Sequence, residues 1–110
     1  DNLSTQIGCQ HPGVQLTSPG IGQRVSGTFA LTGNASYGDQ FGYYSLQIRS
    51  DSAANYNFYS RSDVAVTNGQ LGQIDSGLFT PGGYWIRLQI VDNTGNTPQD
   101  ATCVIPIVIE

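Results

Sequence analysis

The chain has 110 residues, one domain's worth, with four arginines, no lysine and eight acidic side chains for a net charge of −4. Four scattered arginines make no basic stripe, which excludes nucleic-acid binding through clustered Lys and Arg, and no apolar run approaches the roughly 18 residues that span a bilayer. Only 11% of residues are charged, about half the usual share; Ser, Thr, Asn and Gln supply 36 polar positions beside 14 glycines, a mixture that favours strands and tight turns over helices.

Residues 1–13 are polar and lack periodicity, so they read as an N-terminal leader anchored at Cys9, ahead of a domain over 14–110. With no signal peptide before Asp1, the chain reads as a mature or excised fragment. A first strand covers Val14 to Thr17 and ends at Ser18-Pro19-Gly20. Arg24 to Gly33 alternates Val25, Phe29 and Leu31 with small polar residues as a second strand. After the Gly38-Asp39 turn, Phe41 to Arg49 is the clearest strand: Tyr44, Leu46 and Ile48 face one way, Tyr43, Ser45, Gln47 and Arg49 the other. Ser50 to Asn55 is a polar loop. Tyr56 to Ser60 is a weaker strand, which Asp63 to Thr67 extends, and Asn68-Gly69 is a hairpin signal leading into Gln70 to Asp75. Tyr84 to Val91 alternates Tyr84, Ile86, Leu88 and Ile90 against Trp85, Arg87, Gln89 and Val91. A turn at Asp92 to Asn96 precedes a closing strand, Thr102 to Ile109. Seven short strands spaced by turn signals imply an all-β sandwich.

Leu78, Pro81 and Tyr84, in Leu78-Phe79-Thr80-Pro81-Gly82-Gly83-Tyr84, resemble the tyrosine corner of fibronectin type III domains. There a Tyr at the start of the sixth strand returns its hydroxyl to the backbone of the preceding crossover. The wider sequence resembles the bacterial immunoglobulin-like domains of cell-surface and secreted proteins. The matching segments include Leu16-Thr17-Ser18-Pro19, Leu31-Thr32-Gly33-Asn34-Ala35, Leu71-Gly72-Gln73-Ile74-Asp75-Ser76-Gly77-Leu78 and Val91-Asp92-Asn93-Thr94-Gly95-Asn96. The resemblance covers about residues 14–109. It implies a seven-stranded immunoglobulin-like β-sandwich with Greek-key connections, in a spacer, adhesive or assembly role without catalysis; some such domains are accessory modules of cell-wall enzymes or glycoside hydrolases.

In such a sandwich the first and last strands run side by side, so Cys9 and Cys103 would be near enough to form a disulfide. The bridge would close a loop of about 95 residues, worth roughly 4–5 kcal/mol in the chain-entropy account, and implies an oxidising, extracytoplasmic setting. Two unrelated buried thiols are the alternative. The third and sixth strands are also neighbours in this fold, so Phe41, Tyr43, Gln47, Arg49, Trp85, Arg87 and Gln89 would share one outer face. Rings beside planar amide and guanidinium groups suit a protein interface and also sugar stacking. A third option is intramolecular cover of Trp85 by the leader or by Tyr56, Phe58 and Tyr59.

The remaining chemistry is sparse. His11 is the only histidine, no serine sits in a nucleophile elbow, and the seven aspartates are scattered. No catalytic site, metal or other cofactor is expected. Asp92 to Asn96 lacks the length and bidentate Glu of a calcium loop. The functional expectation is a non-catalytic extracellular or cell-surface module for structure, assembly or adhesion, such as a subunit of a filament or surface layer. It would contact protein, without membrane insertion, and the apolar last strand would pair with a neighbour if its edge were free. The alternative is a carbohydrate-binding accessory module using the Trp85 face.

Overall fold

A computed structural model describes residues 8–9, 13–18, 20–97 and 101–110; the rest of the 1–13 leader, with His11, and also Pro19 lie outside the described residues. Among the described residues nine strands follow in chain order: β1 (Gly8–Cys9), β2 (Val14–Ser18), β3 (Gln23–Val25), β4 (Thr28–Ala35), β5 (Phe41–Ser50), β6 (Asn57–Ser62), β7 (Val66–Asp75), β8 (Gly82–Asp92) and β9 (Thr102–Ile109). The only helical turns among the described residues are single 3-10 turns at Gly38–Gln40 and Ser76–Leu78. The protein is therefore all-β, as its glycine-rich, lysine-free composition implies.

The strands form two sheets. The larger runs β1-β9-β8-β5-β6, with β3 lying parallel to β9, and the smaller runs β2-β4-β7. Alternation explains the interior of β5 and β8 residue by residue. Tyr44, Leu46 and Ile48 pair across to Ile90, Leu88 and Ile86, and all six are buried in the core. On β9 the same side carries Cys103, Ile105, Ile107 and Ile109. Facing them from the smaller sheet are Val14, Leu31, Ala35, Leu71 and Ile74. Each Leu or Ile removed from water in this layer contributes on the order of 1.5–3 kcal/mol. The Tyr44 hydroxyl ties the sheets directly by donating to the Leu71 carbonyl at 2.8 Å.

Three local expectations change. The stretch Arg24 to Gly33 is two strands, because Gly27 adopts φ 65°; β3 joins the larger sheet beside β9, and β4 crosses to the smaller. Asp63 to Thr67 does not extend the fourth strand, since the chain leaves the larger sheet after Ser62 and enters the smaller at Val66. Asn68-Gly69 is no hairpin turn. Asn68 holds φ 50° inside the continuous strand β7, where the pairing with β4 shifts between Gly33 and Ala35, and its N–H donates to Asn34 Oδ1 at 2.7 Å. The left-handed preference of Asn is used here by a bulge. A second shift leaves Leu71 as an extra residue between Gly72 and Gln70, which turns Leu71 and Ile74 inward despite their spacing of three.

The closing strand also differs from expectation. Its outer edge is not free: Gln23, Arg24 and Val25 pair with Ile107, Val108 and Ile109, Gly22 N–H donates to the Pro106 carbonyl, and β1 pairs with Cys103 and Val104. The chain covers its own apolar edge, a common protection of exposed strands.

Candidate functional site

The outward side of the larger sheet collects most of the residues that alternation assigns to it. Arg49 pairs with Trp85, Gln47 with Arg87, Ser45 with Gln89 and Tyr43 with Val91. Phe41 is the exception. The β5–β8 register shifts between Phe41 and Tyr43, and the extra residue rotates Phe41 to pack against the core. Gly42 makes this bulge feasible: a Cβ there would lie 2.6 Å from the Asp92 carbonyl oxygen. Phe41 is therefore not part of the outer face.

Two residues beyond β5 and β8 complete the face. Tyr56 enters from the 51–56 loop, and Arg61 arrives on β6 opposite Ser45. Together the side chains form alternating rings and cations. The Arg49 guanidinium lies 5.8 Å from the Trp85 ring centroid and 5.5 Å from that of Tyr56. Arg87 stands 4.2 Å from the Tyr56 centroid, and Arg61 covers Tyr43 at 3.7 Å. Such contacts contribute about 0.5–1 kcal/mol when exposed and about 2 when desolvated.

Arg49 is only 5% exposed. Its Nη1 donates to the carbonyls of Ser50, Asp51 and Ala53, so the charge fastens the loop that delivers Tyr56. Its Nε and the Tyr56 hydroxyl are buried without hydrogen-bond partners among the described residues. Arg87 Nε donates to Gln47 Oε1 at 2.6 Å, and Gln47 Nε2 donates on to Ser45 Oγ and Gln89 Oε1. Among the described residues no carboxylate pairs with Arg49 or Arg87; the ion pairs are Arg61–Asp63 and Arg24–Glu110. Burial pulls the Arg87 guanidinium below its ordinary value, with Tyr56 acting in the opposite sense. Trp85, half-buried, is thus covered partly by Arg49 and flanked across the β8–β9 pair by Pro106.

The tyrosine corner has the hydrogen bond its motif implies. Tyr84 Oη donates to the Thr80 carbonyl at 2.8 Å. Leu78, however, is 69% exposed, and Pro81 is also exposed. The residue that packs is Phe79, edge-on to Tyr84 at 5.5 Å, because the 3-10 turn at Ser76–Leu78 sends Leu78 outward. A cleft of about 170 Å³ beside the corner is lined by Ile48, Arg49, Ser50, Ala53, Asn57, Phe79 and Tyr84, smaller than the roughly 300–1,000 Å³ of typical ligand pockets. Cys9 and Cys103 stand opposite each other in the β1–β9 register. Cys103 is fully buried and is not a free thiol, while the Cys9 side chain lies outside the described residues.

Asp92 closes the β8–β9 turn. Its Oδ1 accepts from Thr94 Oγ1 and from the N–H groups of Thr94 and Asn96, as the turn reading of these residues expects. No group of three His, Cys, Asp or Glu that would hold a metal occurs among the described residues, and no helix there is long and apolar enough to cross a membrane.

The sequence reading missed Arg61 and gave Tyr56 only a covering role. Arg61 was traceable from the β5–β6 pairing alone. The obstacle was the β-bulge opposite Leu46 and Gln47, which breaks the alternation of β6 and turns Tyr59 toward the core. No protein-family model, curated protein or solved structure matches the chain significantly.

Proposed function

We propose that the chain is a non-catalytic, extracellular module of the immunoglobulin-like kind, serving structure, assembly or adhesion, and that it meets other proteins through the outer face of its larger sheet. The sheet order favours that fold: β2, β4 and β7 oppose β3, β9, β8, β5 and β6, and the chain crosses between sheets after β1, β2, β3, β4, β6 and β7, the kind of crossover connection that Greek-key sandwiches use. The Tyr84 corner supports the same reading. A Cys9–Cys103 disulfide, favoured by the register and by the buried, non-free state of Cys103, would tie the leader to the last strand and suits an oxidising compartment.

The observation that carries the choice of ligand is the state of the aromatic rings. A neutral sugar binds by stacking on free ring faces, yet Tyr43, Tyr56 and Trp85 each have a guanidinium against them. Trp, Tyr and Arg gathered around a desolvated centre are instead typical of protein hot spots, and Phe58, 64% exposed on edge strand β6, adds apolar area at its margin. Size-exclusion chromatography and electron microscopy of the purified chain, together with retention on cellulose and chitin, test this. Species larger than a monomer, lost on Trp85→Ala, are expected. A monomer retained on either polysaccharide, with retention lost on Trp85→Ala, would replace the proposal with a carbohydrate-binding one.

A further inference from the structure

The charges of the molecule are unevenly placed. Arg49, Arg61 and Arg87 gather on β5, β6 and β8 on the outer face of the larger sheet, while Arg24, at the far β3 edge of the same side, is paired with Glu110, although the chain as a whole is −4. Asp39, Asp51, Asp63, Asp75 and Asp92 all occupy turns or the last positions of strands, away from the centre of that face. Among the described residues Asp63 alone pairs with one of its arginines. Arg87, half-buried, spends its Nε on Gln47 and has no carboxylate among the described residues. A desolvated cation without a counterion gains most from a partner that brings one.

Resting on the protein-contact reading of this face, we infer that its occupant is a second copy of the chain, which presents strand-end carboxylates to Arg87 and its arginine neighbours. Two copies cannot meet face to face, because that would oppose two cationic surfaces. The contact is end to face and heterologous, and such contacts propagate into open chains unless their rotation happens to close a ring. Gln47, itself anchored on the Ser45 hydroxyl and the Gln89 amide, holds Arg87 in place, so its outer N–H groups are preorganised for a carboxylate.

Sedimentation equilibrium up to about 1 mM, where even a millimolar contact is populated, tests this at low and at 0.5 M salt. Wild type should associate at low salt and weaken in high salt, where exposed charge pairs are screened. Arg87→Glu should weaken association at least about tenfold, whereas Arg24→Glu, an equal charge change at the far edge of the same sheet, where Arg24 is exposed and already paired with Glu110, should change it by less than about twofold. Circular dichroism melts verify that both variants fold, and Arg61→Glu serves as a second face variant if Arg87→Glu does not. Equal weakening by Arg24→Glu would reduce the effect to net charge and overturn the inference. Association that ignores salt and Arg87→Glu but is lost on Trp85→Ala would overturn it while leaving the face as a protein contact. A wild-type monomer throughout would overturn it as well. If that monomer binds a poly-glutamate peptide and Arg87→Glu abolishes the binding, the face remains a protein contact; without such binding, both readings fall.

Discussion

Strands β5 and β8 each present two faces, and the pair is closed in different ways on the two sides. Inward, Leu46, Ile48, Ile86, Leu88 and Ile90 pack against the smaller sheet with almost no exposure. Outward, the same strands carry Tyr43, Gln47, Arg49, Trp85, Arg87 and Gln89, where cation–ring stacks and a Gln47–Gln89 amide contact fill the surface and, among the described residues, Arg49 and Arg87 have no carboxylate. The inner side draws its energy from apolar area, which is indifferent to partner identity. The outer side holds charge and rings in a fixed arrangement, whose cation–ring contacts contribute about 0.5–2 kcal/mol each.

The largest effect expected from that contrast is on the inner side. Leu88→Ala, at a fully buried position, should lower unfolding free energy by about 2–5 kcal/mol, read from urea denaturation; a loss as small as that of an outer-face variant would break the comparison. Next is Gly42→Ala, whose methyl would collide with the Asp92 and Val91 carbonyls. A cost of about 1–3 kcal/mol is expected from the forced backbone shift, with altered amide shifts around Phe41. Tyr84→Phe removes one buried donor and leaves the Thr80 carbonyl unpaired, for about 1 kcal/mol.

On the outer side, Arg87→Gln should change stability by less than about 1 kcal/mol, the scale of one cation–π contact, while weakening association. A large drop in melting temperature would mean that the face is structural after all. The smallest effect is that of pH. Hydrogen bonds from the Thr94 side chain and the Asn96 backbone hold the exposed Asp92 carboxyl below the usual range. Its folded pKa is depressed, so its stabilisation is present above the unfolded value near about 4 and is lost as pH falls through the lower folded value. Melting curves between pH 5 and pH 2 should show this component in wild type and a flatter profile in Asp92→Asn, whose amide oxygen accepts the same bonds without titrating.

Much of this was legible in the chain itself. Strict alternation through Tyr44–Ile48 and Tyr84–Ile90 located both faces of the sheet, and the spacing to Tyr84 located the corner. What alternation could not convey were the bulges. One residue inserted at Gly42, at Asn68-Gly69, at Leu71 or at Tyr59 reverses every side chain beyond it until the next shift. Phe41 and Tyr59 therefore went to the core, and Asn68-Gly69 kept a strand running where a hairpin was expected. Leu78 turned outward for a related reason, a single 3-10 turn that hands its packing role to Phe79. The covered edge of β9 depended on the break at Gly27, a change of sheet that hydrophobic pattern alone does not encode.

The central claim, that the outer face of the larger sheet is where one copy meets another, is tested most directly by recording amide and indole NMR shifts over a dilution series at low salt. The account predicts concentration-dependent shifts at Tyr43, Gln47, Arg87 and the Trp85 indole N–H, with matching changes at the strand-end aspartates and none on the outward side of β2, β4 and β7. Shifts confined to the smaller sheet, or no shifts up to about 1 mM, would contradict it.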